Sequence, residues 1–484
     1  MRSKVVFVLL LLMFVGFGAS VALRGGDSPP AAGPVPPSSA SASAVASASA
    51  LPAASSPAPA ASARPGDKLM KRPLRVAALG WDLIAPGALV NQGLAPTEAS
   101  AFTKAGLEVD LVVHDSMKKL EEALARGGGD EAGADVAIVP MPSYVAAYER
   151  LRALEPKVFL VVGWSKGREA LYSKEASLTK VPNEVSLLAT PGTPPAFAGL
   201  FLLDLAGAEA EDVALWEEPK DNKTPTFEAV SLSGESAPDP SRGSLLLTTA
   251  DVPRLIPLVA IAQGGFVASH TEALTAWGRT WLEGEERIRK DAAASARAIA
   301  KYQGAPNPLV LINRLGPIGW ATLADNARWA GLSGRGAVTL QTLFDRTWRL
   351  WRAAGILSTP RPESPCTAPA VIASLVRQLG ATDSPKVAPK DKEGDRGPER
   401  VLLTYTAPGT KLDESALLAE IGVLAGLFSR STLRISVRGP RFKKQAASVV
   451  EQAQGRFGLD PSRLVAGDKP ATRGSAAVDV LAPR

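Results

Sequence analysis

Residues 186–207 read "SLLATPGTPPAFAGLFLLDLAG". An apolar strand ends near Ala189, a turn of Thr, Gly and Pro follows, and an apolar helix begins at Pro194. Gly192 lets the backbone turn tightly and approach a ligand closely. Thr193 stands at the N-cap position, and Pro194 suits the first helical turn because its missing N–H has no partner there anyway. The start of a helix leaves amides unpaired and carries partial positive charge, so it favours an anion or a carbonyl oxygen. Two roles stay open for Thr190, Gly192 and Thr193: shaping a turn and capping a helix, or lining a site.

The same strand–turn–helix grammar extends upstream. "PLRVAALGW" is a buried strand that ends at Gly80-Trp81, and "GLEVDLVVHD" (residues 106–115) is a second. "MKKLEEALARGG" is an amphipathic helix with Leu120 and Leu124 on one face. "ADVAIVPMPSYVAAYERL" supplies a third strand, a turn at residues 140–143 and another helix. Strands alternating with helices imply a largely parallel sheet covered on both faces, and such sheets bind ligands beyond the carboxyl ends of their strands. Trp81 and Ser143 lie at those ends, as do Thr190, Gly192 and Thr193. Trp81 either stacks on a ligand or fills the strand end. Thr248 and Thr249, in "LLLTTADVPR", end a further strand.

Composition narrows the function classes. The chain has 484 residues, 46% hydrophobic and 21% charged, with a net charge of +6. That is room for two or three packed domains. The charge is spread without a long basic run, which argues against nucleic acid as a partner. One Cys and two His residues exclude a disulfide within the chain and leave no basis for a His/Cys metal cluster. Cys366, in "RPESPCTAPA", reads as a free thiol on a connector, since neither His114 nor His270 lies in a partner motif. No nucleophile, base and orienting group occur together, so no enzymatic activity and no cofactor are expected.

At the N-terminus, "MRSKVVFVLLLLMFVGFGASVALRGG" puts Arg2 and Lys4 before an apolar run from Val5 to Leu23. This run is long enough for a membrane span, with the short basic end left in the cytoplasm. Residues 20–22 also offer a small-residue cleavage site, so segment 1–23 is a signal anchor or a signal peptide. Residues 24–72 are dominated by Ala, Ser and Pro, too poor in large apolar side chains to fold, and would tether a domain at roughly 40 Å on average. A tether is useful when its other end is held, which favours an anchored protein at the periplasmic face of a bacterial inner membrane over a free periplasmic one.

The order of "PLRVAALGWD", "ADVAIVPMPS", "LLATPGTPPAFAGLFLLDLAG" and "LLLTTADVPRLIPLVAIAQGGFVASH" resembles the type 2 periplasmic substrate-binding proteins of ABC transporters. The likeness is to the nitrate, sulfonate and thiamine-precursor branch and covers about residues 73–358. It continues through "WLEGEERIRKDAAASARAIA" and "LADNARWAGLSGRGAVTLQTLFDRTWRLWRAAGIL". The resemblance implies two α/β lobes joined by a hinge, with a small molecule held between them and an ABC permease as partner. Lobe 1 would comprise about 73–155 and 253–358, and lobe 2 about 156–252. Ser143 would then cap a helix facing the Gly192 turn across the cleft, and Thr248 and Thr249 would lie at the cleft or the hinge. Phe344, Trp348 and Trp351 recur at helical spacing and read as a core-facing stripe.

Residues 359–398 are rich in Pro and charge and read as a linker. Beyond it, "LDESALLAEIGVLAGLF", "LRISVRG" and "FGLDPSRLVAGDKPA" resemble the C-terminal OmpA-like domain over residues 399–484, a family that binds peptidoglycan. The chain departs from that family where it matters. Its central strand is followed by Gly439-Pro440-Arg441-Phe442 instead of Gly-His-Thr-Asp. Ser475-Ala476-Ala477 replace Asn-Arg-Arg. Both halves of the charge-assisted recognition are missing, which argues against ordinary wall binding. Arg438, Arg441, Lys443 and Lys444 would form a basic edge.

Overall fold

A computed structural model describes residues 68–220, 223–232, 239–333, 338–380 and 400–483. The expected membrane segment, the tether up to residue 67 and the second half of the second linker, residues 381–398, lie outside these residues. Among the described residues no helix is long and apolar enough to cross a membrane.

The first apolar runs become strands where the sequence places them: β1 (Leu74–Leu79), β2 (Val109–His114) and β3 (Val136–Pro140). They join β4 (Lys157–Ser165), β10 (Pro257–Ala262) and β11 (Ile318–Trp320) in one sheet of order β2-β1-β3-β10-β4-β11. β1 runs parallel to β2 and β3, whereas β10 is antiparallel to both β3 and β4. β10 and β3 are almost wholly buried, as near-continuous Val, Ile, Leu and Ala runs demand.

The second sheet repeats this plan. β5 (Glu169–Ser173), β6 (Val185–Leu188), β7 (Val213–Trp216), β8 (Phe227–Ser231) and β9 (Ser244–Thr248) pair in the order β7-β6-β8-β5-β9. β6 is parallel to β7 and β8, and β5 is antiparallel to β8 and β9. In both sheets the antiparallel strand is the first after the chain has crossed from the other lobe. The protein is therefore a two-lobed α/β structure with two crossings, β4 to β5 and β9 to β10. The sequence boundary at 156 falls early: β4 pairs within the first sheet, so the first crossing is at residues 166–168.

The C-terminal domain carries β12 (Val401–Ala407), β13 (Thr432–Val437), β14 (Leu464–Ala466) and β15 (Ala476–Leu481) in the order β12-β15-β13-β14, with helices Glu414–Leu427 and Phe442–Phe457. β14 lies inside the "FGLDPSRLVAGDKPA" stretch. Arg438, Arg441, Lys443 and Lys444 are exposed.

The helix Leu340–Ala353 ties the parts together. A capping box formed by Thr339 and Thr342 starts it. Phe344, Trp348 and Trp351 are buried, as their spacing implies. Trp348 packs edge-on against Tyr148 of lobe 1 at 5.5 Å, and Trp351 meets Phe197 of lobe 2 at 6.0 Å. On its other face Arg346 pairs with Asp204 of lobe 2 at 2.9 Å and with Glu420 of the C-terminal domain at 2.8 Å. One apolar core runs from Tyr144 through Phe197 and Leu203 to Ile421 and Val478.

The expected linker departs from its composition. Cys366 is fully buried, and burial pushes its thiol up, away from reactivity. Its N–H donates to Gln341 at 2.9 Å, and Thr367 bridges to Val158 of β4. Helix Ala370–Leu379 follows and buries Val371, Ile372 and Leu375. Prolines before it mask an apolar stripe that the first lobe needs.

A second buried oddity sits in helix Thr271–Lys290. Glu285 is wholly buried, and neither carboxylate oxygen has a hydrogen-bond partner. Burial raises its pKa well above the usual carboxylate range, against the attraction of Arg289 and with some repulsion from Asp325. The folded state therefore holds a proton that the unfolded chain releases above its ordinary carboxylate pKa. Stability from this group is complete below that value and falls as pH rises towards the raised one. Glu285→Gln removes the slope: the variant should match the parent near pH 4 and unfold at higher urea near pH 8, as paired denaturation curves at the two pH values will show.

Candidate functional site

The carboxyl ends of β1 and β2 lie side by side. Gly80 closes β1 by donating its N–H to the His114 carbonyl at 3.0 Å. Trp81 then opens helix Trp81–Asn91. Here a cavity of about 490 Å³ is lined by Gly80, Trp81, His114, Asp115, Lys119 and Arg314. Lys119 pairs with Asp115 at 2.9 Å and lowers its carboxyl. That pair is exposed and screened by solvent, so it holds the two side chains only weakly. Partial burial, reinforced by Lys119, lowers the His114 pKa, so its imidazole is neutral at neutral pH. Arg314 is exposed and makes no ion pair among the described residues. The cavity is thus a shallow, net basic pocket with an indole on one wall.

Ser143, Thr190, Gly192 and Thr193 form a second group, away from that cavity. Ser143 is the third residue of helix Met141–Leu151, buried, and does not cap it; Pro140 holds the N-cap position. Thr193 holds the N-cap position of helix Pro194–Leu205, but its hydroxyl donates to the Thr190 carbonyl at 2.5 Å instead of accepting from the helix. Pro194 and Pro195 leave the first two helical positions without an N–H, so of the two amides a cap side chain can receive only that of Ala196 remains. Pro142 likewise removes a donor from the other helix start. Both ends therefore present fewer amides to an anion than their sequences imply.

These two helix starts do not flank an open crevice at this point. Gly192 has φ +75° and lies against the first lobe, where a Cβ would stand 3.3 Å from Ala146 Cβ. Behind them, the Trp351 indole N–H donates to the Pro142 carbonyl at 2.9 Å.

Thr248 and Thr249 sit at the crossing. Thr248 builds a tight turn, its N–H donating to Asp251 at 2.8 Å and its hydroxyl accepting from Ala250 at 3.1 Å. Thr249 is buried and reaches the other crossing strand. Its hydroxyl oxygen accepts from the N–H groups of Gly167 (2.8 Å) and Arg168 (3.0 Å), with a longer contact to Glu169, and donates to the Glu169 carboxylate at 3.0 Å. Ser165 donates to the same carboxylate. Glu169 is fully buried, and burial raises its pKa against these two donors. Next to it Arg168 leaves the crossing to pair with buried Asp82 of lobe 1 at 2.7 Å.

Of the seven residues singled out in sequence, the structure brings only Trp81 into a described cavity. Sequence reading missed His114, Lys119, Arg314, Asp82 and Arg168. Asp82 adjoins Trp81, and a carboxylate after a strand end could have drawn notice. Arg314 is far away in sequence and carries no local signal. Among the described residues no cluster of His, Cys, Asp and Glu could hold a metal ion.

The class defined by these features is a two-lobed α/β fold with its crossings buttoned together, and it rests on the strand order described above. Solved structures with a similar course include the ligand-binding component of an ABC-type import system from Staphylococcus aureus with zinc bound. It shares 12% identity over 63% of this chain and 100% of that one, with a TM-score of 0.41. A putative periplasmic sulfonate-binding protein from Methylobacillus flagellatus shares 16% identity over 64% of this chain and 96% of its own, with a TM-score of 0.45. The periplasmic nitrate-binding protein of Synechocystis PCC 6803 shares 14% over 60% and 91%, with a TM-score of 0.36. No protein-family model and no curated protein matches the chain.

The Thr249 hydroxyl serves the N–H groups of Gly167 and Arg168 at once and shares the Glu169 carboxylate with Ser165. Thr249→Val should cost about 1–3 kcal/mol of unfolding free energy, measured by urea titration, whereas Thr248→Val, on the turn, should cost less.

Proposed function

We propose that the protein is an exported solute-binding protein that captures a small anionic ligand without covalent chemistry, for ABC-type uptake or for sensing. The observation that carries this reading is the cavity at the carboxyl ends of β1 and β2, with its Trp81 wall and its Lys119 and Arg314 cations. Open α/β sheets bind ligands at such ends. Lys119 and Arg314 favour an anion, and a neutral His114 donates or accepts one hydrogen bond without adding charge. The N-terminal segment would hold the protein at the periplasmic face of the inner membrane, or release it to the periplasm if cleaved, with a permease as partner. The C-terminal domain would be an OmpA-like fold that has lost wall binding, since Gly439-Pro440-Arg441 and Ser475-Ala476-Ala477 stand where the family's binding residues stand.

One observation favours a second reading. Trp351, Phe197 and the Gly192 turn close the seam between the lobes, and Arg346 ties lobe 2 to the C-terminal domain. A structural or adaptor protein of the envelope, its cleft disused, would look like this.

Titration calorimetry against nitrate, phosphate, alkanesulfonates and pyrimidine-type compounds separates the two. The receptor reading expects at least one binder, weakened at least tenfold by Trp81→Ala and by Arg314→Ala. Silence across the panel, together with envelope proteins that co-purify with the chain, would replace it with the adaptor reading.

A further inference from the structure

Two cavities of about 600 and 700 Å³ open side by side where lobe 2 meets the C-terminal domain. Both are lined by Lys180 and Arg473, which stand between them. The smaller is a seam: one wall is the 179–185 segment and the 206–212 turn of lobe 2, and the other is β12, the turn before β15 and Ala477. Their volumes lie in the range of small-molecule sites.

The backbone that follows Arg473 is fixed by its packing against β12. Gly474 has φ +59°, and a Cβ there would fall 2.1 Å from the Ala407 carbonyl oxygen. Ser475 donates its N–H to that same oxygen at 3.1 Å and its hydroxyl to Pro408 at 3.1 Å. Across the seam the Thr404 N–H donates to the Leu178 carbonyl at 3.3 Å, so the walls are joined.

The chemistry of the lining is uneven. Lys174, Lys180 and Arg473 surround the larger cavity against a single acid, Glu175. None of the three cations makes an ion pair among the described residues. Only the smaller cavity also takes in Glu209 and Asp212, without ion pairs, on its lobe 2 wall and Thr406 and Thr472 on the other wall, and these four lie outside the lining of the larger one. A ligand that suits both cavities carries an anionic group at one end and several hydroxyls at the other. Carboxylates accept hydrogen bonds from sugar hydroxyls, threonines donate or accept, and clustered cations hold a carboxylate or a phosphate.

The geometry points to a second binding site at this seam, for a saccharide bearing a carboxylate or a phosphate group. It is separate from the Trp81 cavity and does not rest on that assignment. Neither domain alone would form the seam, so the site gives the C-terminal domain a role that its lost wall-binding residues do not supply.

Calorimetry on the purified full chain tests this with trigalacturonate and glucose 6-phosphate as probes, and with glucose and inorganic phosphate as controls. One acidic sugar should bind at least tenfold more tightly than either control, and binding should weaken as salt is raised. Arg473→Ala and Lys180→Ala, both at exposed side chains, should each weaken it at least tenfold, while Trp81→Ala leaves it unchanged. Preference for trigalacturonate identifies a uronate source, and preference for glucose 6-phosphate a phosphorylated one. The site is refuted if neither acidic sugar binds, if the two seam variants bind as the parent does, or if Trp81→Ala abolishes binding.

Discussion

Two stretches of chain cross between the lobes, and the buried hydroxyl of Thr249 fastens one to the other. This contact fixes how the two crossing strands lie against each other. The hydroxyl meets backbone amides of residues 167 and 168 and the buried Glu169 carboxylate. An unsatisfied buried amide or carboxylate costs far more than one hydrogen bond gains, so the arrangement is held by the penalty for breaking it. Arg168 extends the same fastening to Asp82, at the first helix of lobe 1.

A second constraint works from behind. Helix Leu340–Ala353 inserts Phe344, Trp348 and Trp351 between helix Met141–Leu151 of lobe 1 and helix Pro194–Leu205 of lobe 2, and its polar side carries Arg346. Each buried aromatic removes a large apolar area from water, and the edge-on ring pairs add directionality. The result is a molecule whose lobes and C-terminal domain share one interior. In such a body the described cavities lie at rims and seams: the strand ends around Trp81, and the groove between lobe 2 and β12.

Local chemistry altered what the helix starts can do. Gly192, Thr193 and the prolines after them compose a turn that looks made for an anion. Proline supplies a helix with its starting φ angle and withholds the N–H that an anion would use. Thr193 consequently turns its hydroxyl back to Thr190. The positive end of the helix dipole remains, but its best donors are gone. Basic side chains brought from elsewhere, Lys119 and Arg314 at one place and Lys180 and Arg473 at another, supply the charge instead.

Much of the architecture was legible from residues. Short apolar runs located β1, β2, β3 and β6, and the spacing of Phe344, Trp348 and Trp351 located a core-facing helix, because burial imposes a period that sequence displays directly. The helix at Ala370–Leu379 escaped, since prolines upstream disguised its stripe. Cys366 escaped with it, because its burial depends on β4, some two hundred residues away. The site was less legible for the same reason. Trp81 could be placed at a strand end by counting, but His114, Lys119 and Arg314 join it only after parallel pairing has set β2 beside β1. Sequence alone determined the alternation of strands and helices, since hydrophobic period is a local property. Tertiary structure alone decided which strand ends meet, which helix starts are covered and where unpaired cations converge, since each depends on contacts between segments that no local pattern encodes.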